Sequence, residues 1–173
     1  MLIAMAGLPG TGKSTLAQKL ANAYSGIVLN KDVIREALFP IALIEYSTRQ
    51  DDFCMSILFQ VASYMLQNDP SLYVILDGRT FSCKYQVEAL DRFAKEINKP
   101  LKIIECVCSD ETAQKRLEEK VTVREKHPAG NRDFHLYLTI KACFEPIREP
   151  KLVVNTDDDL AHCLASCLAY VSI

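Results

Sequence analysis

Gly7-Leu8-Pro9-Gly10-Thr11-Gly12-Lys13-Ser14 fits the spacing G-x-x-x-x-G-K-[ST] at every fixed position. Each part of such a loop does separate work on a nucleoside triphosphate. The glycines let the backbone turn tightly and aim N–H groups at phosphate oxygens. Lys13 adds positive charge at the β/γ end, and the Ser14 hydroxyl is a ligand for Mg²⁺. Gly7, Gly10, Thr11, Gly12, Lys13, Ser14 and Thr15 are therefore the expected nucleotide-binding set. The bland alternative is a glycine-rich turn with an accidental Lys-Ser. The flanks argue against it: Leu2-Ile3-Ala4-Met5-Ala6 reads as a buried strand, and Ser14 to Tyr24 carries Leu16, Ala17, Leu20, Ala21 and Tyr24 at helical spacing.

Other residues could complete the chemistry. Asp77 ends the apolar run Leu72–Leu76. A carboxylate there can hold Mg²⁺ directly or through water, or it can simply cap the turn before Gly78. Asp32 and Arg35 form D-x-x-R on the first turn of a helix, a spacing that puts both on one face. Asp32 could take the proton of an attacking hydroxyl and Arg35 could hold the substrate or its phosphate; otherwise Asp32 caps the helix and Arg35 is solvated. Arg79 stands two residues past Asp77, placed either to reach substrate or to be a surface loop charge. Arg116 could stack on an adenine or pair with a nearby Glu. Residues 120–133 are polar, with Gly and Pro, and carry Arg124, Lys126, His127 and Arg132. They read as a mobile lid that brings cations to the transferring group, Arg124 first among them, or as a solvated surface loop. His127, fixed by Pro128, is a candidate substrate contact, though no paired acid is in view.

The elements that must position these residues alternate in kind. Strands are expected at Leu2–Ala6, Ile27–Asn30, Leu72–Leu76, Leu101–Cys108 and Leu152–Asn155. Helices are expected from Ser14 to Tyr24, from Asp32 to Phe39, and from a Ser47 or Thr48 cap to about Asn68, the last burying Phe53, Ile57, Leu58, Val61, Ala62 and Met65. Further helices follow a cap at Ser82, a cap at Asp110, Phe134, and the Asp157-Asp158-Asp159 triplet; the final helix should turn Leu160, Leu164, Cys167, Leu168 and Val171 inward. Five apolar strands alternating with helices mean a parallel sheet covered on both faces. Ligands on such sheets bind beyond the C-terminal strand ends, where the loop, Asp32, Arg35, Asp77 and Arg79 all fall.

The chain of 173 residues reads as a single domain, 1–173, able to bury a full core without staples. Its net charge of −2 supplies no basic field for gripping duplex nucleic acid nonspecifically. The N-terminus shows no leader of basic then apolar residues, and no stretch reads as a membrane span, so a cytoplasmic protein, monomer or homodimer, is expected. Seven cysteines, an odd number, lie mostly in apolar patterns and lack C-x-x-C or paired-His spacing. They read as small buried hydrophobes rather than metal ligands.

The ordered set GLPGTGKST, LNKDVIREAL, VILDGRTF, ECVCSDETAQKRLEE, HPAGNRD and FEPI…LVVNTD resembles bacterial P-loop kinases grouped under an AAA-type ATP-binding label. These are similar to phage-type polynucleotide kinases, and more distantly to zeta-toxin, gluconate and adenylate kinases. The resemblance spans nearly the whole chain. It implies a three-layer P-loop NTPase fold, sheet order 2-3-1-4-5, and a lid after the helix that follows the fourth strand. Asn30-Lys31-Asp32-Val33-Ile34-Arg35 matches the polynucleotide-kinase segment whose Asp is general base and whose Arg contacts substrate, so the resemblance carries those roles to Asp32 and Arg35. The chain departs from that pattern at Gly78-Arg79-Thr80-Phe81, in the lid, and at Lys120 where relatives often carry Arg.

Two functions follow as expectations. The first is an ATP- and Mg²⁺-dependent phosphotransferase acting on a hydroxyl of a small molecule or of a nucleic-acid 5′ end, and the acidic balance of charge favours the small molecule. The second is a regulatory ATP-binding protein or ATPase switch with no small-molecule acceptor. Asn30-Lys31-Asp32 is a near-miss to the guanine-specifying N-K-x-D of GTPases, at the wrong strand.

Overall fold

Along the first strand, β1 (Leu2–Ala6), every side chain is excluded from solvent on both faces of the sheet. A strand with no wet face has to lie in the middle of a covered parallel sheet. The computed structural model, which describes residues 1–122 and 133–173, places it there. The remaining elements are α1 (Lys13–Tyr24), β2 (Ile27–Asn30), α2 (Lys31–Leu38), a 3-10 turn (Ile41–Leu43), α3 (Thr48–Asn68), β3 (Val74–Asp77), α4 (Lys84–Glu96), β4 (Leu101–Val107), α5 (Asp110–Thr122), α6 (Phe134–Ala142), β5 (Leu152–Asn155) and α7 (Leu160–Val171). The five strands run in the order β2-β3-β1-β4-β5, and every pairing is parallel. The expected architecture and strand order are thus both present.

Alternation along β1 divides the core. Leu2, Ala4 and Ala6 face Leu58, Ala62, Leu90 and Phe93 from α3 and α4. Ile3 and Met5 face Leu16, Leu20, Cys163 and Cys167 from α1 and α7. All strands point the same way, so their C-terminal ends meet at one edge. There the loop after β1, Asn30 at the end of β2 and Asp77 at the end of β3 come together; Asn30 and Asp77 are register partners.

Some expected boundaries shift, each for a local reason. The cap of α4 is Cys83, not Ser82: the Ser82 carbonyl accepts from Glu145 N (2.9 Å) and its hydroxyl accepts from Thr80 (3.1 Å). Ser109, not Asp110, caps α5, its Oγ accepting from Thr112 N at 3.3 Å. Asp110 is drawn away to the Tyr137 hydroxyl (2.7 Å) and to Lys141. Of the two cap candidates for α3, Ser47 serves, accepting from Gln50 N. Of the expected face that helix buries Leu58 and Ala62, and with them Cys54, Met55 and Leu66; Phe53 is half exposed and meets Phe39 edge-on. In α7 the buried positions are Cys163, Cys167 and Val171, while Leu160 is exposed beside the Asp159 cap.

Arg124, Lys126, His127 and Arg132 of the expected lid lie outside the described residues. Within them, no helix is long and apolar enough to cross a membrane.

Candidate functional site

The loop between β1 and α1 is shaped by contact with β4. Gly7 has φ +122°, and a Cβ there would lie 2.2 Å from the Cys106 carbonyl oxygen, so no other residue fits. Thr11 is buried and donates its hydroxyl to Leu8 O at 2.7 Å. Lys13, on the first turn of α1, is buried and donates from Nζ to Gly7 O (2.8 Å) and Leu8 O (2.6 Å). Its charge is thereby held inside the loop's own curve, at the N-terminal end of a helix where anions are favoured. Ser14 and Thr15 follow on the exposed side of that first turn.

On the far side of the loop Arg116 of α5 makes contacts that neither sequence alternative foresaw. Among the described residues it pairs with no glutamate. Its guanidinium donates to Thr156 O (2.7 Å), to Thr156 Oγ1 (2.9 Å) and to Gly10 O (3.4 Å). Thr156, just past β5, in turn donates to Thr11 O at 3.1 Å. Arg116 and Thr156 therefore brace the loop from behind.

Asp77 closes β3 with both oxygens out of solvent. Oδ2 accepts from Asn30 Nδ2 at 2.8 Å, and Oδ1 is buried with no hydrogen-bond partner. A buried carboxylate oxygen without a donor is costly unless something positive meets it. A cation fits here. Mg²⁺ takes one or two protein ligands and completes its shell with phosphates and water. Among the described residues no three His, Cys, Asp or Glu side chains gather into a cage of their own. Gly78 follows with φ +90°, its Cα hydrogens packed on the N-terminus of α2, where a Cβ would come within 2.9 Å of Lys31 N.

The D-x-x-R pair is neither a helix cap nor a solvated arginine. Asn30 performs the capping of α2, its Oδ1 accepting from Asp32 N (2.8 Å) and Val33 N (3.3 Å). Asp32 is fully buried and Arg35 is 1% exposed. Arg35 Nη1 meets Asp32 Oδ1 at 2.7 Å, and Nη2 pairs with Asp51 from the first turn of α3. Lys31 Nζ reaches Asp32 Oδ1 (3.2 Å) and Asp51 Oδ2 (2.8 Å). Two cations and two carboxylates thus neutralise one another in a quartet buried except at Asp51, and removal of any one member would leave it charged. The Arg35 guanidinium also lies 5.1 Å from the ring centre of Tyr46, a residue held at the uncommon φ of +50°.

Arg79 is not a surface charge either. It is 5% exposed, donates from Nη2 to Asp52 Oδ1 and to the Tyr85 hydroxyl, and has its Nε buried without a partner.

Lys13, the ionic quartet and Arg79 border one cavity of about 290 Å³, which Asp77 and Arg116 do not line. Pro9 and Lys13 form the wall on the loop side, and Asp32, Arg35, Asp51 and Arg79 line its ionic side. Tyr46, Gln86 and the α6 residues Leu136 and Ile140 supply less charged walls. Cys83 and Cys143 border it too, one half-buried and the other exposed, unlike Cys106, whose thiol burial pushes up to about 12. The volume sits at the lower end of the range for small-molecule pockets, about 300–1,000 Å³. A flat anion chain along the loop and a small molecule in the cavity would meet at Lys13.

Asn30, Asp51, Asp52 and Thr156 were missed by sequence reasoning. Asn30 carried a faint signal, an amide side chain at a strand end directly before a helix. The two aspartates sit in a helix sixteen or more residues from their arginine partners, where spacing carries no signal.

A family model described as AAA domain matches residues 2–143, which include every described candidate above except Thr156. Among solved structures, the APS kinase CysC of Mycobacterium tuberculosis, in complex with AMPPNP and APS, superposes with a TM-score of 0.76 at 17% identity, covering 99% of this chain and 97% of that one. A gluconokinase from Sinorhizobium meliloti gives 0.73 at 16% identity over 98% of this chain and 90% of that one. Kti12 of Chaetomium thermophilum, in complex with ADP-AlF3, gives 0.68 at 17% identity, covering 99% of each. At such identities these likenesses establish the shared P-loop kinase fold and nothing narrower.

Proposed function

The chain belongs to the AAA domain family of P-loop proteins, and from that premise we propose that it is an ATP-dependent phosphotransferase acting on a hydroxyl of a metabolite-sized acceptor. The observation that carries this reading is the cavity beside Lys13, walled by the Asp32–Arg35–Asp51 cluster and Arg79. A switch that only hydrolyses ATP has no use for a second pocket beside the lysine of its phosphate loop.

Lys13, with the loop amides of Gly10, Thr11 and Gly12, holds the β/γ end of ATP. Ser14 and the unpaired Asp77 oxygen are the residues that would hold Mg²⁺, which when bound supplies positive charge to the phosphate oxygens. Thr15 lies along the nucleotide, and Arg116 steadies the loop that holds it from behind. In the transfer, the acceptor oxygen forms a bond to the γ-phosphorus while the bond from that phosphorus to the bridging oxygen breaks and ADP leaves. Asp32 takes the hydroxyl proton, and Arg35 and Arg79 position the acceptor. Arg124, from its sequence, is the proposed cation over the transferring group.

The test is a panel of hydroxyl acceptors with γ-labelled ATP. Transfer to one class of compound, reduced at least about 100-fold in Asp32→Asn with nucleotide affinity retained, is expected. Label released only as free phosphate, with every acceptor untouched, would overturn the reading in favour of an ATPase switch.

A further inference from the structure

The charges around the acceptor cavity do not balance. Four basic side chains line it, Lys13, Lys31, Arg35 and Arg79, against two carboxylates, Asp32 and Asp51. Lys13 is committed to the phosphate loop, whose carbonyls it touches. Lys31 and Arg35 are neutralised by Asp32 and Asp51 at close range. Arg79 is left over. Its carboxylate partner, Asp52, does not line the cavity and is itself 44% exposed, so the pair is only half shielded from water.

Arg79 is nonetheless a built feature. Its position follows from Gly78, whose positive φ turns the chain directly after Asp77. Asp52 and the Tyr85 hydroxyl both meet the same nitrogen, Nη2. Nε is buried with no hydrogen-bond partner. A guanidinium presents donors in a planar fork that suits two oxygens of one oxyanion. Burying such a group with an unmet N–H is unfavourable unless a ligand or an ordered water completes it. The α6 residues of the lining, Leu136 and Ile140, are apolar, so they add no counter-charge.

We propose that the acceptor carries an oxyanion, a carboxylate or a phosphate, which Arg79 binds while its hydroxyl faces Asp32 and the γ-phosphate. This rests on the phosphotransferase reading and narrows it: the substrate is a small hydroxylated anion, not a neutral polyol or nucleoside. Asp52 competes with that anion for Arg79 and so holds the empty subsite in a weak, exchangeable ion pair. The size of the cavity favours a free metabolite over a nucleic-acid end.

Binding is measured by calorimetry with the loop filled by Mg²⁺ and a non-hydrolysable ATP analogue. The probes are two matched sets: glycerol, glycerate and glycerol 3-phosphate, then ribose, ribonate and ribose 5-phosphate. At least one anion is expected to bind at least about 10-fold more tightly than its neutral parent, as hydrogen bonds to a charged group allow. The carboxylate and phosphate arms decide which oxyanion it is. Arg79→Gln should abolish that preference and Arg79→Lys should restore part of it. Asp52→Ala, a change at an exposed residue, should tighten the anion by about 3-fold, a gain that misfolding does not produce. Equal binding of anions and neutral parents in both sets, an anion preference that survives Arg79→Gln, or tighter binding of an oligonucleotide with a free 5′-hydroxyl than of any small anion would each overturn the proposal. The labelled-ATP panel separates it from the reading beneath it. Transfer to a neutral compound, unaffected by Arg79→Gln, sinks the subsite and keeps the kinase. Anion binding with the predicted variant responses but no transfer keeps the subsite and sinks the kinase.

Discussion

Asn30 donates its Nδ2 to Asp77 Oδ2 at 2.8 Å and so ties the end of β2 to the end of β3. The same side chain caps α2 through Oδ1. One residue thereby fixes the start of the helix that carries Asp32 and Arg35, and holds by one oxygen the carboxylate whose other oxygen is buried and unpaired.

Asn30→Ala should therefore fail in two ways at once. Losing the cap costs about 1 kcal/mol of stability, which thermal unfolding would register. Freeing Asp77 should raise the Mg²⁺ concentration needed for half-maximal ATP turnover by several-fold. Asp77→Asn should remove the Mg²⁺ dependence of nucleotide binding with little change in the unfolding midpoint. A Mg²⁺ titration unchanged in both variants would remove Asp77 from the metal site.

Lys13→Ala deletes the one charge on the first turn of α1 that faces the loop interior. Turnover of ATP should fall by about 100- to 1,000-fold, the usual cost of losing a donor aimed at transition-state charge. Full turnover in Lys13→Ala, measured by release or transfer of the γ-phosphate, would mean that the loop does not serve the reacting phosphate.

Arg116→Ala removes three donor contacts, two to Thr156 and one to Gly10. Hydrogen bonds of a charged donor are worth about 1.5–3 kcal/mol each in favourable settings, but half-exposed Arg116 should deliver less. A loss of roughly 10-fold in affinity for an ATP analogue is expected, read by fluorescence titration. Thr156→Val should show a smaller loss of the same sign. An unchanged affinity in both would show that bracing from behind does not matter to the nucleotide.

Asp110 brings pH into the acceptor wall. The Lys141 ammonium and then the Tyr137 hydroxyl, both bonded to it, hold its carboxyl below the usual range. A depressed folded pKa gives a contribution that is present above the unfolded value, near about 3.9, and is lost as pH falls through the folded one. The contact ties α6, with Leu136 and Ile140, to α5. Unfolding midpoints of wild type and Asp110→Asn should differ at pH 6 and converge toward pH 3. A difference that persists in acid would place the tether elsewhere.

Much of the site was legible in the chain itself because its signals are local. The phosphate loop, Asp77 at a strand end and the D-x-x-R turn each lie within a few residues, and local spacing fixes which face they share. The sheet order followed from resemblance and stands. What was not legible depends on distant packing. Nothing in α3 marks Asp51 and Asp52 as counter-charges for Lys31, Arg35 and Arg79, because helical periodicity records burial and not partners. The same blindness moved two caps by one residue: Ser82 and Asp110 are good capping types, but Glu145, Tyr137 and Lys141 claim them from far along the chain. The partner that holds Arg116, Thr156, follows the last strand, forty residues further along the chain, where no spacing argument reaches.

That last contact has a consequence for how the protein comes into being. The phosphate loop leaves the ribosome well ahead of Thr156, which lies 145 residues beyond Thr11, bonds to it, and packs its methyl 3.5 Å from where a Gly12 side chain would begin. Synthesis proceeds at about 5–20 residues per second, so the loop spends seconds without its brace. A nascent chain carries the motif long before it carries the site. Ribosome-stalled chains ending before β5 should bind nucleotide poorly, and the ability to hold ATP should arrive late and abruptly, as a sign that the sheet has closed.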